Sequence, residues 1–406
     1  MKRSRQTNRT PVRRRRRKIC VITSTRADYG LLFWLLREIT ADPSLELQLV
    51  ATGMHLAPEF GLTVARIEED GFPIARRIEI LLSSDTPVGI AKTMGLATAG
   101  FAEAFSELRP DIAVVLGDRY EIFAAAAAAV VARIPLAHLH GGEATEGLID
   151  EAFRHGLTKM CHLHFTAAEA YRRRVIQLGE QPDRVFNVGA MGIDNIRKLK
   201  LLSSKALEER LGIRLGARSL LVTFHPVTLE SATARKQFRA LLSALGELED
   251  CALIFTLPNA DTEGRNLFPL IESFVAEDRS RRVAFASMGQ LLYLSAMSAV
   301  DAVVGNSSSG LLEAPSLRVA TLNIGDRQRG RLKADSVVDC GPTVPEIRRG
   351  LKALDSPAFR ETVSRTVSPF GNGGSALKVK EVLKSADLDG ILKKRFYDLP
   401  LQEPRP

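Results

Sequence analysis

Short apolar runs alternate with longer segments of helical spacing along most of the chain. In the first half, the apolar runs predict strands at residues 19–23, 45–51, 112–116, 136–139, 163–166 and 185–188. The segments between them predict helices, which lie at residues 30–40, 90–108, 121–132 and 167–178. Strands that alternate with helices in this way are typical of a parallel α/β sheet.

A second series of the same kind follows a polar, basic segment at residues 198–216, which we interpret as a linker with a surface helix. The predicted strands are 220–224, 253–257, 283–286, 302–304 and 319–322. The predicted helices are 232–248, 263–276, 288–296 and 311–314. The fold class is therefore α/β, with two doubly wound Rossmann-like domains in tandem. Ligands bind beyond the carboxyl ends of strands in such sheets, so a crevice between the two domains is expected.

The excess of basic residues is concentrated at the start of the chain. The protein has 406 residues, and its 45% hydrophobic and 25% charged residues are ordinary for a globular protein. Ten Lys and Arg residues and no acidic residue fall within residues 1–18. Without them the formal net charge changes from +9 to −1. We therefore expect a disordered basic tail at residues 1–17 and no specific nucleic-acid partner for the remainder.

The sequence also bears on location. The apolar stretch after the tail is too short for a signal peptide, and no segment has the roughly 18 apolar residues of a membrane span. The four cysteines are far apart and form no CxxC pair. This pattern is typical of thiols in a reducing compartment, so we predict a cytoplasmic protein without a membrane span.

Polar residues follow two strands of the first series. Arg26 lies in the turn after the first strand, where a helix begins, and could hold a phosphate with the help of the helix dipole. Asp28, in the same turn, could simply cap that helix. Asp118 and Arg119 follow the strand at 112–116, which places a carboxylate and a cation at the predicted crevice.

A third segment combines histidines and carboxylates. His140 and Glu143 follow the strand at 136–139, and Asp150 comes shortly after them. A dense set of such groups is suited to proton transfer. Five of the seven histidines fall between residues 138 and 164, but neither a suitably spaced cysteine nor an HExxH motif accompanies them. We therefore predict no metal site and no cofactor, and we assign structural roles to His162 and His164.

The second series ends its strands in residues suited to a diphosphate. His225 follows the strand at 220–224, and Asn259 follows the next one. Ser307 and Ser308 lie in a small hydroxyl-rich turn between a strand and a helix, where backbone N–H groups and hydroxyls can cradle phosphates. Two further candidates come after this turn: Glu313 could bind a ribose, and Arg327 could clamp a phosphate.

Eight motifs in order resemble the UDP-N-acetylglucosamine 2-epimerase family, and its hydrolysing branch is the most similar. The matching stretches are TSTRADYG (23–30), LGDRYE (116–121), HLHGGEATEGLIDEAFRHGLTKM (138–160), FHPVT (224–228), PNAD (258–261), GNSSSGLLE (305–313), NIGDRQRGR (323–331) and PFGNGGSA (369–376). The resemblance covers about residues 18–385.

The resemblance implies a GT-B-type fold with the active site in the interdomain cleft. The implied domains are residues 18–197, completed by a C-terminal helix at 370–395, and residues 198–369. It also implies conversion of UDP-N-acetylglucosamine, or a related UDP-2-acetamido sugar, and water to UDP and the free 2-epimerised sugar through a glycal. A homo-oligomer is expected. Asp118, Glu143 and Asp150 match the catalytic acidic region, and His225 lies near the sugar and diphosphate. The nucleotide-binding positions match Arg26, Asn259, Ser307, Ser308, Glu313 and Arg327.

One position departs from the family pattern. Related hydrolysing enzymes carry a catalytic glutamate where this chain has His140, and the spacing from there to Asp150 is one residue longer. The base that removes the C2 proton is therefore open among Asp118, His140, Glu143 and Asp150. Several other functions remain open: a 2-epimerase of a UDP-2,4-diacetamido sugar, a non-hydrolysing epimerase, a glycosyltransferase of the same fold, and a non-catalytic nucleotide-sugar sensor.

Overall fold

The computed structural model describes residues 15–82, 84, 86–146, 149–226, 233–257, 267–286 and 288–400. Residues 1–14 of the predicted tail and the candidate Asn259 lie outside the described residues. Arg17, which the sequence analysis assigned to the tail, is instead the first residue of a strand, because its backbone pairs with Leu45 of the neighbouring strand.

The first half of the chain forms a seven-stranded parallel sheet with the order β3-β2-β1-β4-β5-β6-β7. Its strands are β1 (Arg17–Thr23), β2 (Leu45–Thr52), β3 (Ile74–Ile78), β4 (Ile112–Leu116), β5 (Leu136–Leu139), β6 (Leu163–Thr166) and β7 (Val185–Asn187). The helices are α1 (Arg26–Ala41), α2 (Val64–Glu69), α3 (Pro87–Leu108), α4 (Tyr120–Val131), α5 (Asp150–Met160), α6 (Glu169–Gln177) and α7 (Gly192–Lys198). Two apolar cores form, one on each face of the sheet.

The second half forms a six-stranded parallel sheet with the order β10-β9-β8-β11-β12-β13. Its strands are β8 (Arg218–Thr223), β9 (Cys251–Thr256), β10 (Arg282–Phe285), β11 (Ala302–Gly305), β12 (Ala320–Ile324) and β13 (Val337–Cys340). The helices are α8 (Ser204–Leu211), α9 (Ala234–Gly246), α10 (Phe268–Ala276), α11 (Gly289–Ala299), α12 (Ser309–Leu312), α13 (Val344–Leu354) and α14 (Pro357–Arg365). The prediction of two doubly wound α/β units in tandem is confirmed.

All eleven predicted strands are present, and the described residues contain two further strands that the apolar pattern missed, β3 and β13. Both lie at a sheet edge. Their side chains are only partly buried, and β3 has the sequence IARRI, with two arginines in five residues. An edge strand is covered less completely than a central one, so it does not need a continuous apolar run.

The last helix, α15 (Ser375–Ser385), returns to the first sheet. Its Ala376, Val379 and Leu383 belong to the same apolar core as β1 and α1. The carboxylate of Asp194, in α7, accepts from backbone N–H groups at the start of α15, including that of Ala376 at 2.8 Å. At the other end, Arg17 donates to the carbonyls of Leu383 and Ala386 at 2.7 and 2.9 Å.

The strand order fixes where a ligand can enter. Each sheet reverses its winding direction between two neighbouring strands, β1 and β4 in the first sheet and β8 and β11 in the second. The turns that follow these four strands therefore lie at the switch points, where doubly wound sheets bind ligands. None of the helices in the described residues is long and apolar enough to cross a membrane.

Candidate active site

The turn after β1 is held in place by Asp28. The Asp28 carboxylate accepts from the Ser24 backbone N–H and hydroxyl at 3.0 and 2.8 Å, and from the Thr25 backbone N–H at 3.0 Å. Thr25 caps the helix in return, which completes a capping box. The capping role considered for Asp28 is thus confirmed. The exposed Arg26 is carried on the first turn of α1 at this switch point.

Arg154 organises the acidic region after β4 and β5. Although it is only 1% exposed, its guanidinium pairs with the carboxylates of Asp118 and Glu151. It also donates to the Thr145 hydroxyl at 2.8 Å and to the Glu143 carbonyl at 3.1 Å. A buried guanidinium with this many acceptors fixes the position of each of them.

Asp118 and Asp150 form a carboxylate pair with different partners. Asp118 is held by Arg154, whereas Asp150 is the first residue of α5 and pairs with no cation among the described residues. Burial and the nearby Asp118 carboxylate raise the pKa of Asp150 to about 6. Asp150 can therefore accept a proton near neutral pH and release it again.

His140, by contrast, has no ring nitrogen available. The Met191 backbone N–H donates to His140 Nε2 at 3.2 Å, so the proton of the neutral ring lies on Nδ1. Nδ1 then donates to Glu143 Oε1 at 2.9 Å. The sequence left His140 open as a candidate base, but this geometry favours a role in positioning Glu143.

Glu143 joins the two halves of the chain. Its second oxygen lies 3.4 Å from Arg331, in the segment after β12, and both side chains are largely buried. Burial alone would raise the pKa of Glu143, but Arg331 and the His140 hydrogen bond lower it to about 2. Glu143 is thus a fixed anion and a weak base.

The remaining histidines of this region have structural partners. His138 Nε2 contacts the Gly117 carbonyl at 2.8 Å, and burial lowers the pKa of His138 to about 3. His162 accepts from the Leu136 N–H at 3.1 Å, and His164 contacts Glu180 at 2.9 Å. The contact of His164 with Glu180 agrees with the structural role predicted for it, whereas only one ring nitrogen of His162 is engaged within the described residues. Within the described part of the chain, no three His, Cys, Asp or Glu residues are grouped so that they could hold a metal ion.

The second sheet brings His225 and Asn306 together at its switch point. The backbone N–H of His225 donates to Asn306 Oδ1 at 2.7 Å, and Asn306 Nδ2 donates to the backbone carbonyl of His225 at 2.8 Å. Gly305, just before Asn306, has a φ of +133°, and a Cβ there would lie 1.9 Å from the Thr223 carbonyl oxygen. Only glycine allows the ends of β8 and β11 to approach this closely.

Neutral polar groups line this end of the second sheet. Burial and the nearby Arg327 lower the pKa of His225 to about 3, and its Nδ1 atom is buried without a partner among the described residues. Tyr293 of α11 lies close to the side chains of Thr223, Ser307 and Ser309, and burial raises its pKa to about 12. The arrangement offers hydroxyl and imidazole groups at the turn.

Arg327 and Glu313 complete this region. Arg327 donates to the Asn306 carbonyl at 3.2 Å, which places its guanidinium beside the serine turn. Glu313 follows α12, and burial raises its pKa to about 7. Its Oε1 lies so close to Gly192 of α7 that a Cβ there would be 2.8 Å away. Glu313 therefore lies where the two halves of the chain meet.

The predicted residues thus form two groups at facing strand ends. Asp118, Arg119 and Arg154 all lie close enough to Asp150 to act electrostatically on it, and they form the first group. Ser307, Ser308 and Arg327 are grouped around Asn306, with His225. His140 and Glu143 lie at the junction between the groups. Three participants were missed as site residues: Arg154, Arg331 and Tyr293. A helix prediction at 150–160 would have placed Arg154 on the same face as Asp150 and Glu151, which are four and three residues away.

Comparisons with known proteins extend this description. Residues 37–384 match the family model described as UDP-N-acetylglucosamine 2-epimerase. The chain is 40% identical over 385 residues to the "GDP/UDP-N,N'-diacetylbacillosamine 2-epimerase (hydrolyzing)" of Campylobacter jejuni, covering 95% of this chain and 100% of that protein. It is 38% identical to "Polysialic acid biosynthesis protein P7" of Escherichia coli, with 95% and 98% covered. It is 34% identical to the "UDP-N,N'-diacetylbacillosamine 2-epimerase (hydrolyzing)" of Legionella pneumophila, with 92% and 97% covered.

Solved structures share the fold. The UDP-GlcNAc 2-epimerase of Neisseria meningitidis, solved bound to UDP-GlcNAc, superposes with a TM-score of 0.78 at 17% identity, with 90% of this chain and 99% of that chain covered. The corresponding enzyme of Methanocaldococcus jannaschii, in complex with UDP-GlcNAc and UDP, gives 0.75 at 17% identity, with 91% and 100% covered. The predicted GT-B-type arrangement of two Rossmann-like domains is confirmed.

Proposed function

Because the chain belongs to the UDP-N-acetylglucosamine 2-epimerase family, we propose that it is a hydrolysing 2-epimerase of a UDP-2-acetamido sugar. It converts this sugar nucleotide and water to UDP and the free 2-epimerised sugar. The observation that carries the proposal is the carboxylate pair. Asp150, with a pKa of about 6, lies beside the Asp118 carboxylate, which Arg154 holds in place, at strand ends that face a diphosphate-type turn.

In the proposed first step, Asp150 removes the C2 proton and UDP departs from C1. The C2–H and C1–O bonds break, a C1=C2 double bond forms, and the electron pair of the broken C1–O bond leaves with UDP. The C2 proton is not next to a carbonyl group, so it is weakly acidic, and the elimination depends on stabilising the leaving diphosphate. A base with a pKa near neutrality is both ionised and sufficiently basic under these conditions.

Leaving-group stabilisation is proposed for the second sheet. The hydroxyls of Ser307 and Ser308, the backbone N–H groups of the turn and the Arg327 guanidinium donate to the diphosphate. His225 is neutral, and its buried Nδ1, which has no partner among the described residues, offers one further polar atom beside them. We propose that Arg26, on the facing first turn of α1, closes over the same anion and that Glu313 binds the ribose. The role of Asn259 in nucleotide binding stays a prediction.

The second step adds water to the glycal. A proton is delivered to C2 on the face opposite to the first, and a hydroxyl group adds to C1, so the product is a free sugar inverted at C2. The Asp118–Asp150 pair supplies the groups for these transfers. His140 and Glu143 are proposed to hold the two halves of the site in register, because their side chains are engaged with Met191 and Arg331. No step of this scheme needs a cofactor.

The identity of the sugar is a separate proposal. UDP-N-acetylglucosamine is the substrate that the motifs favoured. The hydrolysing relatives at 40% and 34% identity are named for N,N′-diacetylbacillosamine, which supports a 4-acetamido group on the sugar. We propose that the 2,4-diacetamido sugar is the better substrate and that UDP-N-acetylglucosamine is the competing one.

The four cysteines, all free thiols, fit the proposed cytoplasmic location.

A substrate panel in heavy water tests the function. Each UDP sugar is incubated with the protein, and free UDP and the C2 deuterium content of the product are measured. We expect UDP release and one deuterium at C2 in the free 2-epimer, since the new C2–H bond is formed from solvent. Protium retained at C2 contradicts the elimination mechanism. A UDP-linked epimer without free UDP indicates a non-hydrolysing epimerase, and UDP release only with an acceptor indicates a glycosyltransferase. UDP binding without any product indicates a sensor.

A further inference from the structure

A pocket lies at the opposite end of the first sheet from the carboxylate pair. It has a volume of about 500 Å³ and is formed by the ends of α4 and α5, the start of β6 and the segment at 392–394. Val130, Met160 and Leu392 supply its apolar wall. Arg133 precedes β5 and His162 precedes β6, so the pocket lies at the amino ends of these strands. Its volume is in the range of small-molecule sites.

The pocket is strongly cationic. It is lined by Arg133, Lys159, Lys393 and Lys394. Glu180 neutralises part of this charge, because it pairs with Lys159 at 2.6 Å and with Lys394 at 2.7 Å. Within the described residues, no carboxylate pairs with Arg133 or Lys393. Two cations therefore face the pocket without a counter-charge, which favours an anionic ligand.

His162 adds a directed donor. The side chain is only 6% exposed, and its Nδ1 accepts from the Leu136 N–H at 3.1 Å. The proton of the neutral ring therefore lies on Nε2, which has no hydrogen-bond partner among the described residues. Burial and the nearby Lys394 lower the pKa of His162 to about 4, which keeps this tautomer neutral at neutral pH. An N–H group facing a cationic pocket is suited to an anionic oxygen.

From this combination we propose that the pocket binds a small metabolite that carries a phosphate or carboxylate group. The anionic oxygens contact His162, Arg133 and Lys393, and an apolar part of the ligand contacts Leu392 and Met160. The site is independent of the proposed epimerase chemistry, since it shares no residue with the cleft.

The two sites are far enough apart to be filled together. Helix α5 begins at Asp150 and ends at Met160, so it spans about 16 Å between the carboxylate pair and the pocket. Helix α4 likewise begins beside Arg119 and ends just before Arg133. A ligand in the pocket therefore contacts the distal ends of the two helices that follow the acidic turns.

Calorimetry with the full chain tests the proposal. Pyrophosphate and citrate serve as the phosphate and carboxylate probes, and UDP is present well above its Kd so that the cleft is filled. We expect at least one probe to bind with one site per chain, and the stronger probe identifies the ligand class. The double variant Arg133→Ala/Lys393→Ala should weaken that binding at least ~10-fold, because two charge-assisted contacts are lost. Both residues are exposed, so the fold should be retained.

The matched control is Lys205→Ala/Arg214→Ala, which removes two exposed cations from the second half of the chain and should bind the probe like the original protein. Absence of probe binding to the UDP-saturated protein overturns the proposal, as does equal binding to both double variants. If neither probe binds and light scattering shows that Arg133→Ala/Lys393→Ala lowers the molecular mass in solution, the pocket is an interface between copies of this chain, and the proposal is wrong.

Discussion

The two sheets share one topology but differ at the ends of their central strands. In the first sheet, the turns after β4 and β5 lead to carboxylates and a buried arginine, and the pKa values of Asp150 and Glu143 lie about four units apart. In the second sheet, the turns after β8 and β11 present serines, a neutral histidine and Asn306. The same topology thus carries one edge with titratable carboxylates, proposed for proton transfer, and one edge with neutral polar groups, proposed for anion binding. The chemistry is set by the residues after the strands and not by the fold.

The difference also explains which residues can be exchanged without loss of the framework. Asn306 and Gly305 determine how closely β8 and β11 approach, so they are part of the framework itself. Asp150 has no such role, since it begins a helix and pairs with no cation among the described residues. Substitutions at Asp150 and at the serine turn should therefore separate proton transfer from anion binding.

The largest effect is expected for Asp150→Asn. An amide cannot accept the C2 proton, so kcat should fall by about 10² to 10⁴-fold, while the Kd for UDP stays within about twofold. Steady-state UDP release gives kcat, and calorimetry gives Kd. The control is Asp183→Asn, which changes an exposed carboxylate. If kcat falls by less than about threefold, Asp150 is not the base and the two edges are not specialised as proposed.

A smaller effect, on the other edge, is expected for Ser307→Ala/Ser308→Ala. Loss of two hydroxyl donors to a charged diphosphate should raise the Kd for UDP at least ~10-fold. Calorimetric titration with UDP measures this change, and Ser385→Ala, on the surface of α15, provides the control. An unchanged Kd would remove these hydroxyls from the diphosphate site.

The smallest effect concerns pH. Because the pKa of Asp150 is raised to about 6, it is protonated and inactive as a base below that pH. The value of kcat/KM should therefore rise as the pH increases through about 6. In Asp118→Asn, the like charge is removed and the pKa of Asp150 falls, so this rise should move to lower pH by about one unit. Profiles of kcat/KM for both proteins measure the shift. A rise at the same pH in both proteins would show that the two carboxylates are not coupled.

The framework could be predicted from the sequence because central parallel strands are buried on both faces and have continuous apolar runs. Helix α5 was not predicted because it has no continuous apolar face. It carries charged residues where it faces the interior. Arg154 is 1% exposed yet charged, and it is tolerated because Asp118 and Glu151 pair with it. Such compensation arises between segments that are distant in sequence.

The position of His140 shows the same limit within the candidate site. Its place after β5 could be predicted, and so could its closeness to Glu143. The bond from the Met191 N–H could not, because these residues are 51 positions apart and meet only in the folded chain. That bond fixes the tautomer of His140, because Nε2 must accept and Nδ1 must carry the proton. In this tautomer both ring nitrogens are engaged, so His140 positions Glu143 and does not act as a base.

The contact between Arg17 and α15 has a consequence for how the protein is made. The apolar layer that covers β1 combines two helices that are distant in the chain. Helix α1 precedes the second sheet in sequence, whereas α15 follows its last strand, β13, and packs on α1. On a ribosome, residues 375–385 emerge only after every strand of the second sheet has been synthesised. The second sheet can then fold during translation, whereas β1 keeps an apolar face uncovered until α15 has emerged, and chaperones would be most needed during that interval.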